Sequence, residues 1–344
     1  MRLSLVILPL LLACLTACTR PAGVLFEPAS SVHAWPTPPD EARIRYVGEI
    51  RSESDLKPAR GVGESIGRFL FGKETPKGMV GPLGVCTDGG DLVFIADPNA
   101  QTLHVFDLAS RRYRQWTPPP KSPRFVQPIA VAFDAGRVLV SDSAAGVIFE
   151  FDTKGVFRGL LGEGVLQRPC GLAVEPGSGN IFVADAAAHQ IVVLSPDGTE
   201  SARIGSRGQD AGRFNFPTYV AFDSRARLYV SDSLNFRVQV FGPHVEFIRE
   251  IGRKGDMPGY FAQPKGIALD PEDHLYVVDA NFEAVQVFDP DGNLLMTFGH
   301  EGRGPGEFWL PVGISADPKG RLWIADSYNR RVQVFQYLPA GGNP

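Results

Sequence analysis

Six aspartates are the most regular polar feature of this 344-residue sequence: Asp97, Asp142, Asp185, Asp232, Asp279 and Asp326. Each closes a short apolar run (FIAD, VLVSD, IFVAD, LYVSD, LYVVD, LWIAD) and stands before a turn-forming stretch. Six carboxylates gathered at one opening could hold a cation or orient a polar ligand. The local alternative is that each Asp bonds backbone N–H groups of the turn that follows it. A residue present once per repeat serves the repeat first, so all six are read as turn caps. Arg237 and Arg331 stand five residues after Asp232 and Asp326, which suggests an ion pair in those two copies. Thr102, Val147, Gln190 and Ala284 hold that position elsewhere, so the pair is not general.

Metal or acid–base chemistry needs His, Cys or carboxylates that converge. Among the six His, His104 falls in a strand, and His244 and His274 fall in turns at the end away from the aspartates. Only His189 and His300 sit at the aspartate end, in different units, while His33 lies in a Pro-rich stretch. Cys86 and Cys170 occupy opening strands of non-adjacent units and are expected as buried small apolar residues, not a disulfide. The loops GSRGQDAGRF, GRKGDMPGYF and GHEGRGPGEF lack the following helix and the Lys-Ser/Thr that a phosphate loop needs. They read as connections anchored by Phe214, Phe261 and Phe308. No catalytic residue, metal or cofactor is expected. The net charge of −4 offers no general attraction to nucleic acid.

The elements that carry these residues are short and alternating. Pro82, Pro128, Pro169, Pro217, Pro264 and Pro311 each open a unit, at intervals of 46, 41, 48, 47 and 47 residues. After the Pro comes an apolar strand such as GIALD or GISAD, then the strand ending in Asp, then a third such as VQVFD. Alternating runs between Gly/Pro/Asp/Asn clusters are strands joined by tight turns. Units three to five add a fourth strand (ESARIGS, FIREIGR, LLMTFGH) before the Gly-rich loop. Four strands per 40 to 50 residues, six times over, predict an all-β, six-bladed β-propeller of antiparallel blades. The sixth unit stops at Leu338 without a fourth strand, and RIRYVGEI (residues 43–50) has the pattern to supply it and close the ring.

What precedes the repeats is organised differently. Arg2 and the apolar run Leu3 to Leu12 form a leader, too short for a permanent membrane span. Leu15-Thr16-Ala17-Cys18 resembles the lipobox of bacterial lipoproteins, which implies cleavage after residue 17 and acylation of Cys18. Several acyl chains together anchor a protein stably. Thr19 stands where inner-membrane retention signals place Asp, which favours the outer membrane in a Gram-negative source. After the acylated Cys18, Thr19 to Ala42 are Pro-rich. Residues 18–42 read as a tether, able to reach about 70 Å at roughly 3 Å per residue unless part of it, especially around Trp35, lies against the domain. Trimming residues 19–32 should therefore be harmless. Ile66, Phe69 and Leu70 predict a short helix over residues 61–74, and residues 43–338 form the propeller, with 339–344 as a tail.

The strings DGNLLMTFG, GEFWLPVGI and IADSYNRRVQVF resemble the NHL-repeat family, most clearly in units four to six. In unit one RRYRQWTPPPKSPRFVQ replaces the usual Gly-rich loop. With the leader and closing strand, the chain resembles six-bladed propeller lipoproteins of the bacterial envelope. Peptide-amidating lyases of the same architecture use several His, and gluconolactonase-like propellers a Glu/Asn/Asp channel site; neither set has a match here. The propeller-lipoprotein class is defined by architecture more than by activity. The chain is read as a monomeric, lipid-anchored, non-catalytic binding or scaffold module that presents one face to a protein, peptide or glycan. The alternatives are a channel-centred lyase or hydrolase, or a structural part of an export or electron-transfer assembly. Strand-opening loops and the loops after the six Asp share one face, where the copies differ at Tyr219, Asn235, Phe236, Lys265, Phe282, Tyr328, Asn329 and Arg330. Aromatics beside Arg and Asn make a recognition rim, so these are the candidate partner contacts. Trp309 lies beside them.

Overall fold

The computed structural model describes residues 22–26, 33–57 and 77–339. The leader, Cys18 and the expected helix at 61–74 lie outside the described residues. Among the described residues six antiparallel sheets stand around a central channel, five of four strands and one of five. In each blade the strand opened by Pro or by Gly84 is innermost, and each innermost strand packs on that of the next blade. Contact between Pro311–Ala316 of blade six and Gly84–Thr87 of blade one completes the ring.

Close packing at the centre explains the Pro-x-Gly pattern of the opening strands. A Cβ on Gly266 would meet the Val312 carbonyl oxygen at 2.4 Å, and one on Gly313 would meet that of Leu83 at 2.3 Å. Second and third strands are buried on both sides by neighbouring blades, so Leu275–Asp279 and Ala284–Phe288 are enclosed throughout. Outer strands such as Leu294–Phe298 alternate between exposed and sheltered residues. Continuous burial in the middle strands and alternation outside follow from packing on two faces or one.

Closure uses the expected segment. Ile44–Ile50 pairs antiparallel with Arg331–Tyr337, from Ile44 opposite Tyr337 to Ile50 opposite Val332, with an irregularity between Tyr46 and Gly48. A two-residue strand, Ala34–Trp35, adds to its outer edge. The Trp35 ring lies 5.8 Å from Phe298 and 5.9 Å from Phe335.

Two features add to what the sequence located. The fourth strands that the four-stranded blades require, but that the sequence did not place in blades one and two, are Arg112–Trp116 and Phe157–Leu161. The first is mostly polar and leads to no Gly-rich loop, which hid it; its Trp116 is buried 5.6 Å from Phe94. Phe125, 4.7 Å from Phe149, is buried in the connection from blade one to blade two. The second feature concerns the stretch read as tether. Residues 22–26 lie on the domain, with the Phe26 ring edge-on to Trp323 at 5.7 Å and the Gly23 N–H donated to the Lys57 carbonyl.

Candidate functional site: the aspartate-loop face and the channel mouth

All six aspartates are fully buried. Their carboxylates accept N–H groups from the segment that leads into the first strand of the same blade. Asp97 takes Val80 (2.7 Å) and Gly81 (3.0 Å), Asp142 takes Val126 (2.7 Å), and Asp185 takes Gln167 (2.7 Å) and Arg168 (2.9 Å). Asp232 takes Asn215 (2.7 Å), Asp279 takes Ala262 (2.7 Å) and Gln263 (2.9 Å), and Asp326 takes Trp309 (2.8 Å). Turn N–H groups are bound as well, at Ala100, Ala145, Ala188 and Phe282, in blades one, two, three and five. Each Asp thus staples its turn to the incoming interblade connection. A buried carboxylate holding two or more donors has little capacity left for a ligand.

In blades four and six the staple grows into a network. Arg237 Nε donates to Asp232 at 3.0 Å and Arg331 Nε to Asp326 at 2.6 Å. Gln333 Nε2 donates to Asp326 and to the Glu307 carbonyl, while its Oε1 accepts Gly306 N–H. This arrangement clamps the Gly-rich loop, and Gln239 repeats it against Gly212. In blade one His104 stands in place of Gln. It is fully buried, with Nε2 3.2 Å from Asp97 and Nδ1 2.7 Å from the Tyr113 hydroxyl. Burial raises the Asp97 carboxyl pKa, but His104 and three backbone N–H groups outweigh it, and the net shift is downward.

The candidate rim residues divide into three groups. Asn235 and Asn329 turn inward: Asn329 Nδ2 donates to Asp326 (2.9 Å) and the Gly302 carbonyl (2.8 Å), and Asn235 does the same with Asp232 and Gly208. Their Asx positions serve the loop scaffold. Tyr219 and Lys265 lie on innermost strands. Tyr219 occupies the position held by Gly or Ala in the other five blades, is 9% exposed, and has a buried hydroxyl without a partner. It lines the channel cavity of about 350 Å³, whose walls are otherwise largely Val, Leu, Ile, Ala and Phe. Lys265 is half-buried, and no carboxylate among the described residues lies within ion-pair distance. Burial lowers its ammonium pKa, and burial pushes the Cys170 thiol of blade three up to about 11. Cys86 and Cys170 are both free; Cys86 is buried, as expected, whereas Cys170 is only half-buried.

The remaining group faces solvent. Tyr328 is 59% exposed and edge-on to Trp309, with ring centroids 5.4 Å apart. The Arg303 guanidinium lies 4.6 Å from the Trp309 ring, Lys254 lies 5.1 Å from Phe236, and Arg253 lies 4.2 Å from Tyr260. Phe282 is half-buried and Arg330 exposed. The stacked cations were missed in the sequence, although each shares a loop, or an adjacent loop, with its ring. Stacking orients these charges at small entropic cost, and such pairs contribute about 0.5–1 kcal/mol when exposed. Among the described residues no three His, Cys, Asp or Glu side chains come together as a metal set. His189 instead accepts the Phe216 N–H at 3.2 Å, and His300 lies 3.7 Å from Glu307.

The opposite face carries a titratable pair. His274 Nδ1 is 2.9 Å from buried Asp270, and Glu272 and Tyr337 are close by. The Asp270 hydrogen bond raises the His274 pKa above its ordinary 6.5, against the opposing effect of burial. A raised pKa means that this stabilisation is complete below the unfolded value and is lost as pH rises through the folded one. Urea midpoints of the wild type should therefore fall between pH 6 and pH 8 more than those of His274→Gln. Equal pH slopes would remove the pair from the account.

These features define a six-bladed propeller with a capped-loop face and a channel lined largely by small and apolar side chains together with backbone groups. Residues 308–335 match the NHL repeat, in the last blade. No curated protein matches the sequence. Solved structures with the same fold include a streptogramin B lyase, at 15% identity, covering 76% of this chain and 94% of that one, TM-score 0.55. An auxiliary nutrient binding protein from Bacteroides thetaiotaomicron matches at 12% identity over 75% and 69%, TM-score 0.60. A gluconolactonase from Xanthomonas campestris matches at 18% identity over 76% and 87%, TM-score 0.57. At these identities the likeness is one of fold.

Proposed function

We propose that this chain is a non-catalytic binding module of the bacterial envelope, anchored through acylated Cys18, that engages a protein, peptide or glycan with its aspartate-loop face. The observation that carries the reading is the set of pre-stacked pairs in blades four to six: Lys254 on Phe236, Arg253 on Tyr260, and Arg303 on Trp309 beside Tyr328. Exposed aromatic and cationic side chains held by a rigid network are the usual makings of an interface centre. Neighbours of this fold include both a nutrient-binding protein and enzymes, so the fold is compatible with either role.

The test is a comparison of partner recovery. Phe236→Ala combined with Tyr328→Ala should lower recovery of a co-purifying partner at least 30-fold, at about 2 kcal/mol for a central aromatic contact. Tyr328→Ala alone, at an exposed ring, should leave the thermal midpoint close to wild type. Phe236→Ala, at a ring half-buried against the core, should lower it, so recovery is compared well below the variant's midpoint. Undiminished recovery would remove this face from the interface. One observation favours the enzymatic alternative: Lys265, partly desolvated on an innermost strand near Cys170. A turnover lost in Lys265→Met with the fold intact would decide for it.

A further inference from the structure

The chain between the acylation site and the propeller is far shorter than its composition implies. Residues 22–26 are fastened to the outer edge where blade six meets blade one. Gly23 N–H donates to the Lys57 carbonyl at 3.2 Å, and Lys57 Nζ donates back to the Val24 carbonyl at 3.1 Å. Leu25 and Phe26 pack on the cluster that holds Ile50, Leu56, Trp323 and Val334. Gly48 makes room for this contact, since a Cβ there would come within 2.8 Å of the Phe26 ring. Gly23 does the same beside Lys57, also at 2.8 Å. The 3₁₀ turn Glu53–Leu56 ties the segment to blade one, where Arg111 donates to the Leu56 carbonyl at 2.8 Å.

From Cys18 to Ala22 there are only four peptide steps, at most about 14 Å of extended chain. A lipid on Cys18 therefore cannot carry the domain far from the bilayer. Val24, beside the leash, is 61% exposed, the largest fraction of any large apolar side chain among the described residues. Arg51 and Lys57 line the same cleft as Leu25 and Phe26, beside Glu49 and Asp55.

We infer that the propeller rests edge-on against a phospholipid surface, with the blade six–blade one edge down and blade three pointing away. This orientation rests on the proposed acylation of Cys18. It leaves the aspartate-loop face upright and open to a partner approaching along the membrane plane. The long reach expected from the Pro-rich composition is replaced by a short, directional mount.

The experiment uses the full-length lipidated protein in phosphatidylethanolamine–phosphatidylglycerol vesicles that carry a quencher lipid. In a Cys170→Ser background, one fluorophore is placed through Ser54→Cys at the edge, and another through Ala202→Cys on the outer strand of blade three. Both positions are exposed. Quenching at the edge should exceed that at blade three several-fold, and a twenty-residue Gly/Ser insertion after residue 21 should abolish the difference. Flotation with the vesicles tests the anchor by itself. Flotation with equal quenching at both positions overturns the orientation and leaves the anchor standing. Protein that neither floats nor incorporates labelled palmitate overturns both. Phe26→Ala, which loosens the docked segment, should reduce the difference without affecting flotation.

Discussion

Deleting the chain through Ile50 should abolish cooperative folding of the propeller. The deleted strand buries Ile44 (1% exposed), Tyr46 (8%) and Ile50 (1%) against the last blade. It also caps the third strand along its length, from Tyr337 to Val332. At about 1.5–3 kcal/mol per buried side chain, three such residues account for roughly 5–9 kcal/mol. That is comparable to the whole stability of a typical domain, about 5–15 kcal/mol. Loss of the Glu49 carboxylate, 2.7 Å from Arg331, adds to it. Thermal unfolding followed by circular dichroism checks this, and a cooperative melt within a few degrees of wild type would refute the closing role. Deletion only through residue 32, which the sequence suggests is harmless, should cost about 2–3 kcal/mol, because it strips Phe26 from Trp323.

Asp326→Ala should be the most destabilising single substitution among the six aspartates. Arg331 is 1% exposed and would lose the carboxylate that its Nε reaches at 2.6 Å. Glu49 and the carbonyls of Arg303, Gly304 and Glu307 would remain, leaving the buried charge only partly compensated. Breaking one side of a buried pair costs about 3–5 kcal/mol. Asp142→Ala removes only backbone N–H partners, a loss of about 1–3 kcal/mol, because Val147 stands where blade six has Arg331. Equilibrium urea unfolding of the two variants orders them, and equal losses would mean that the Arg network adds nothing to the backbone staple. Such a result would also weaken the view that the rim is held rigid for binding.

Much of the architecture was legible from local pattern. Alternation, turn residues and the recurring Pro each act over a few neighbouring positions, and their repetition made six blades and the missing fourth strand visible. Phe214, Phe261 and Phe308 could be placed because the same loop recurs, and all three are fully buried. Where a copy departed from the pattern, as in Arg112–Trp116, the strand went unseen.

The sequence by itself determined the repeat, the strand order, the closing segment and the two Asp–Arg pairs, because these depend on contacts close in sequence or on a single periodicity. Only the tertiary structure decided what the polar residues do with that frame. Asn235 and Asn329 face inward because a loop carbonyl from about 27 residues earlier completes their bonding. Lys254 reaches Phe236 from the next interblade connection, and Phe26 reaches Trp323 from the far end of the chain. Such pairings arise when closure of the ring brings distant segments together, and no local rule of composition or spacing encodes them.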